Sequence, residues 1–114
     1  MQINQKLGDT LSWEVSYTDE LGGVTDLTNY TIKCQARSKS NRDIVLFSAT
    51  SEGLEPQIDI YDPTEGLFRI VLDTTGFALG DYLVDIEYAV PGLIKSSETF
   101  DLVMIEDITK WLLH

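Results

Sequence analysis

Side-chain alternation with a period of two, repeated in three separate stretches, constrains this chain more than any other feature. Leu11, Trp13, Val15 and Tyr17 alternate with Ser12, Glu14 and Ser16. Phe68, Ile70 and Leu72 alternate with Leu67, Arg69 and Val71, and Tyr82, Val84, Ile86 and Tyr88 with Leu83, Asp85 and Glu87. A period of two places every second side chain on one face, so each stretch reads as a strand with a single buried face. No helical spacing extends beyond one turn. The pattern therefore excludes parallel βαβ architectures and points to two packed β layers or a closed barrel.

Turn chemistry divides the chain into further strands. Gly8-Asp9 separates strands expected over 3–7 and 10–18, and the acidic, glycine-rich run Asp19-Glu20-Leu21-Gly22-Gly23 closes the second. A short edge strand is expected over 24–27, and alternation resumes over 30–37. The run Ser38-Lys39-Ser40-Asn41-Arg42-Asp43 has no apolar residue and reads as an exposed turn before a β-rich stretch over 44–49. A short strand over 58–61 ends at Asp62-Pro63-Thr64-Glu65-Gly66, where proline presets φ and glycine tolerates a left-handed exit. Strands over 67–73 and 82–90 follow, then a turn at Pro91-Gly92 and a last strand over 98–105. The expected fold is an all-β, immunoglobulin-like antiparallel sandwich of seven or eight strands. Leu11, Trp13, Val15, Ile32, Cys34, Phe68, Ile70, Leu72, Tyr82, Val84 and Ile86 are its expected core. Residues 1–109 are expected to form one domain and residues 110–114 a C-terminal tail.

A chain of 114 residues can bury such a core without staples. Cys34, the sole cysteine, shares an inward phase with Tyr30, Ile32 and Ala36, so it reads as a small buried hydrophobe. No stretch has the roughly 20 apolar residues of a membrane-crossing helix. The first residues lack an apolar signal core, so synthesis in a cytoplasm is the expectation.

Nineteen acidic residues against eight basic ones give a formal charge of −11, a surface that repels phosphate and anionic membranes. Lys33, Arg37, Lys39 and Arg42 cluster in sequence, as do Glu52, Glu55, Asp59, Asp62 and Glu65. Both runs read first as solvated surface, and second as complementary docking patches. Asp59, Asp62 and Glu65 are the best calcium candidates, but they lack the spacing of a calcium loop, and solvation is the favoured reading. The only histidine is His114 at the chain end, which disfavours nucleophile–base catalysis and a zinc site. No phosphate-binding or dinucleotide fingerprint is present. No catalytic residue, metal or cofactor is expected. Of the aromatics, Phe47, Tyr61, Phe77 and Trp111 fall outside the inward phases.

Two sets of short motifs carry a resemblance. Leu79-Gly80-Asp81-Tyr82 entering an alternating strand resembles the tyrosine corner of immunoglobulin-like sandwiches. Gly8-Asp9-Thr10 before an alternating strand, Asp26-Leu27-Thr28-Asn29-Tyr30, Gly80-Asp81-Tyr82-Leu83-Val84-Asp85-Ile86 and the closing Asp107-Ile108-Thr109 resemble, in that order, small structural proteins of tailed phages and prophages. Asn29 stands where that pattern has glycine. The resemblance implies a noncatalytic virion protein of the tail, baseplate or a fibre, with other virion proteins or copies of itself as partners, and without nucleic acid or membrane. The alternative from a different class is a carbohydrate- or cell-surface-binding module.

Lys110-Trp111-Leu112-Leu113 sets three large apolar residues near the chain end, and Trp111, Leu112 and Leu113 are the candidate partner interface. The favoured reading has them fold back on the sandwich, the second has them dock on another chain. Light scattering on a chain lacking residues 110–114 separates the two. Unchanged mass with lowered stability marks the tail as core, and a fall in mass marks it as interface.

Overall fold

The alternating stretches become strands in two facing sheets. The computed structural model describes residues 2–18, 21–96 and 99–106. Among them run nine strands: β1 (Gln2–Lys6), β2 (Thr10–Ser16), β3 (Thr31–Ser38), β4 (Val45–Thr50), β5 (Ile58–Asp62), β6 (Leu67–Asp73), β7 (Gly80–Val90), β8 (Leu93–Ser96) and β9 (Phe100–Ile105). A 3-10 turn at Pro63–Glu65 joins β5 to β6. The larger sheet has the order β1-β9-β7-β3-β4, with β8 also pairing β7, and the smaller has the order β2-β6-β5. Such a sandwich of two β layers is the fold that the periodicity implied.

Three details differ from expectation. β1 pairs with β9 in parallel, so the larger sheet is mixed and not purely antiparallel. Both strands head for the same end, where the Leu7 amide donates to the Ile105 carbonyl at 2.9 Å. Residues 93–96 form an additional hairpin strand against β7, which raises the count to nine. All four side chains of β8 are exposed, so no apolar alternation announces it. Around 24–27 only an isolated bridge from Thr18 to Val24 forms, in place of a strand. The boundary of the expected 110–114 tail lies outside the described residues.

Leu11, Ile32, Cys34, Phe68, Ile70, Tyr82, Val84 and Ile86 are buried as expected. Trp13, Val15 and Leu72 pack against this core but stay partly exposed. β2 is an edge strand, so the inner side chains of Trp13 and Val15 have a neighbouring strand on one side only. Leu27, Phe47, Ile58, Leu102 and Met104 complete the core. Phe47 thus belongs inside, stacked on Phe77 with centroids 5.9 Å apart. The Trp13 ring meets Phe47 edge-on at 6.2 Å and Phe100 at 5.7 Å. At the opposite end, Tyr17 stacks on Tyr88 at 3.9 Å. Aromatic pairs at these separations add to the free energy of simple burial.

The short motifs act as corners. The Tyr82 hydroxyl donates to the Ala78 carbonyl at 2.8 Å, forming a tyrosine corner at the start of β7. Asp26 accepts the Thr28 amide at 2.9 Å and the Thr28 hydroxyl at 2.6 Å, while Asn29 takes a φ of 69°. This turn drops Leu27 into the core, with its amide donating to the Pro63 carbonyl at 2.7 Å. The Gly8 amide donates to the Thr74 hydroxyl at 2.8 Å, and that hydroxyl donates to the Asp9 carbonyl at 2.6 Å. Thr74 is fully buried, so its hydroxyl must be satisfied, and these two bonds tie the β1–β2 turn to the end of β6.

Gly66 ends the 3-10 turn at φ 68°, and a Cβ there would stand 2.7 Å from the Thr25 carbonyl oxygen and 2.8 Å from that of Tyr17. Gly53, at φ 98°, has open space around it. Gly53→Ala carries backbone strain alone, about 1 kcal/mol. Gly66→Ala adds a clash with two backbone carbonyls, and its loss of stability in urea unfolding is expected to be at least twice as large. Equal losses would show that the carbonyls move aside freely.

Candidate functional site

The outer face of the larger sheet carries an open groove of about 630 Å³ across β3, β4 and β7. The same alternation that buries Ile32, Cys34 and Ala36 sends Lys33, Gln35 and Arg37 to this face. Opposite them, β7 presents Leu83, Asp85 and Glu87. Register then sets the rows: Lys33 lies between Thr50 and Glu87, Gln35 between Ser48 and Asp85, and Arg37 between Val45 and Leu83.

Hydrogen bonds hold the middle of the groove. Gln35 donates from Nε2 to the Ser48 hydroxyl at 2.7 Å and accepts at Oε1 from Arg37 Nε at 2.9 Å. Arg37 Nη1 donates to the Arg42 carbonyl at 2.7 Å, which anchors the β3–β4 hairpin beside the groove. The Thr99 hydroxyl donates to Asp85 at 2.5 Å. Lys33 and Arg42 are therefore set against Asp85 and Glu87 on one wall-to-wall surface. Lys39 pairs with Asp101 at 3.2 Å, a surface contact of small energetic weight. The basic run at 33–42 thus does not make a uniformly positive patch, because β7 interleaves acids with it. Such an arrangement suits a partner bearing charges of both signs, held by complementary pairs.

Cys34 lies beneath the groove, with its side chain facing the core. Burial pushes its thiol up to about 12, with a smaller contribution from the negative charge of Asp85. A thiol held neutral in this way is inert, in keeping with its role as a small hydrophobe. Burial also raises the Tyr88 hydroxyl, helped by Tyr17 and Cys34.

The other candidate residues are dispersed. Asp59 is paired across from Arg69, while Asp62 accepts the Thr64 hydroxyl at 3.3 Å. Glu65 sits in the 3-10 turn. Among the described residues, no three histidine, cysteine or acidic side chains are grouped to hold a metal ion. Trp111, Leu112, Leu113 and His114 lie outside the described residues. Asp85, Glu87, Gln35 and Ser48 were not singled out by sequence, although the outward phases of their strands placed the first two on the polar face. No family model matches this chain, and no curated protein matches it significantly.

The buried thiol sets an alkaline limit. In the unfolded chain it ionises near 9.0, whereas the native state keeps its proton to about 12. Its contribution to stability is complete below pH 9.0 and is lost as pH rises toward 12. Urea titrations of wild type and Cys34→Ala should differ by a constant amount below pH 9 and converge above it. A constant gap through pH 11 would mean that the thiol does not titrate differently in the two states.

Proposed function

We propose that this protein is a noncatalytic structural module of a phage or prophage virion, working through protein–protein contacts in the tail, the baseplate or a fibre. The mixed-charge groove on the outer face of the larger sheet supports this reading most. Most of its residues sit on β3, β4 and β7, so the sandwich holds them rigidly, and they are arrayed across a surface without converging on one reacting atom. The four motifs that resemble phage proteins add weight through their order along the chain. Within the described residues they are occupied with corners and turns. The partners in this reading are other virion proteins or further copies of the chain.

A sugar-binding role would draw on exposed aromatic rings. Tyr61 is the exposed aromatic of the smaller sheet, and the Arg69 guanidinium already lies 4.8 Å from its ring centroid, covering one face. That observation favours a contact between proteins over a sugar platform.

Antibody-labelled electron microscopy of purified virions tests the proposal, with label expected on the tail or baseplate. Charge removal at the groove, Lys33→Gln with Arg42→Gln, should lower incorporation severalfold while leaving thermal unfolding nearly unchanged. Absence of the protein from every particle overturns the reading. Normal incorporation of the double variant removes the groove from it, and specific binding on a glycan array would transfer support to the carbohydrate alternative.

A further inference from the structure

Unpaired strand edges invite other strands, and proteins usually blunt them with bulges, prolines, charges or short length. Among the described residues five strand edges are free, and four of them are blunted. β4 carries a register shift opposite Ala36 and Arg37. β5 has one between Asp59 and Asp62 and runs directly into Pro63. β1 has only five residues and ends at Lys6, and β8 has four. β2 differs, with seven residues, no proline and an unbroken ladder to β6.

Two hydrogen bonds establish which backbone groups of β2 face its open side. The Tyr17 amide donates to the Gly66 carbonyl at 2.9 Å, so the odd-numbered residues bond toward β6. The Val71 amide, opposite Ser12 in the register, turns the other way and donates to the Gln57 carbonyl at 2.9 Å. The amides and carbonyls of Thr10, Ser12, Glu14 and Ser16 therefore point away from β6. Among the described residues no strand pairs with them. Trp13, Val15 and Tyr17, on the inner row, are only partly covered. Glu14 is the sole charge on the strand, and Arg69 draws it across the sheet at 3.1 Å.

We infer that β2 is a dimerisation edge, pairing antiparallel with β2 of a second copy around a two-fold axis at Trp13. This inference does not rest on the virion reading. Trp13 is the middle residue of Thr10–Ser16, so this register alone overlaps the whole strand. It sets Trp13 against the partner's Trp13 in a non-hydrogen-bonded pair, where side chains approach most closely. Leu11 then lies opposite the partner's Val15, giving an apolar inner row. On the outer row Glu14 faces the partner's Ser12. The next register, centred on Glu14, would oppose two carboxylates directly and lose part of the overlap. The strand is thus complementary to a second copy of itself in one register, which keeps the full overlap and sets no two charges opposite each other. A smaller sheet of three strands in each copy becomes a continuous sheet of six, closed by symmetry. Each copy carries −11, so the dimer tightens as salt screens their repulsion.

The test is sedimentation equilibrium of the full chain over a wide concentration range at two salt levels. Ser12→Glu places carboxylates opposite Glu14 at two symmetric points and should weaken the dimer about tenfold, whereas Ser12→Lys should tighten it severalfold. Ser12→Pro removes an outward amide without touching the β2–β6 ladder and should abolish dimerisation. The same charge changes at exposed Ser40 control for net charge, and thermal unfolding reports whether each variant is folded. In hydrogen exchange, the amides of Ser12, Glu14 and Ser16 should gain protection with rising concentration. A chain that stays monomeric at millimolar concentration overturns the inference, whether the edge is bare or covered by residues 107–114. An oligomer indifferent to all three Ser12 variants overturns it as well.

Discussion

Among the described residues the two sheets share no ladder, so contact between their inner faces is what the rest of this molecule depends on. Backbone pairing runs within each sheet. Across the gap, Trp13 reaches Phe47 and Phe100, while Tyr88 takes Tyr17 on its face and Phe68 at its edge, 5.9 Å away. A three-stranded sheet such as β2-β6-β5 is marginal in water without an apolar face to cover it. β5 and β6 pair over a tight turn, but β2 joins β6 with β3, β4 and β5 between them in the chain, and the partners Phe47, Tyr88 and Phe100 also come from distant parts of the sequence. Docking the sheets therefore closes long loops, and folding is expected to be governed by these non-local contacts.

The short motifs work as corners, held by hydrogen bonds between residues close to the strand ends. Tyr82 bonds back to Ala78, Asp26 gathers the amide and hydroxyl of Thr28, and Thr74 bridges Gly8 and Asp9. Each fixes the direction in which a strand enters its sheet. Hydrogen bonding to Thr28 holds the Asp26 carboxyl below its usual range, a sign that the turn prefers the ionised form. Motifs of this kind set architecture and bear on fold before function. A functional reading has to come from surfaces, whose residues are freer to vary.

That division also sets how much could be read from the chain in advance. β2, β6 and β7 were legible because one face is wet and the other dry, which is the condition for strict alternation. Phe47 was not, because Ile44-Val45-Leu46-Phe47 is continuously apolar, and a register shift opposite Ala36 and Arg37 decides which of the four turns inward. Leu27 is buried from a loop, where no period exists to reveal it. The parallel pairing of β1 with β9 joins the two ends of the chain, and no local signal encodes a contact of that span. The groove was legible only in part. The outward phase of Lys33 and Arg37 was visible, but the apposition of Lys33 to Glu87 and of Gln35 to Asp85 follows from the β3–β7 register.

The groove and the β2 edge lie on different sheets and select partners by different physics. Across the groove, discrimination comes from matched charges, and a wrong partner meets a like charge from Lys33, Arg42, Asp85 or Glu87. Along β2, binding comes from backbone groups that any extended strand can satisfy, so selectivity must come from the side chains facing the newcomer. Ser12 and Ser16 are small and neutral, Glu14 is paired with Arg69 but keeps an exposed carboxylate, and the inner row carries the bulky rings of Trp13 and Tyr17. An arriving strand therefore needs apolar residues in alternate positions and few acids between them. β2 itself meets that description, whereas the acid-rich β5 does not. The remaining acidic surface opposes loose association throughout, so contacts persist only where geometry offers enough to overcome it.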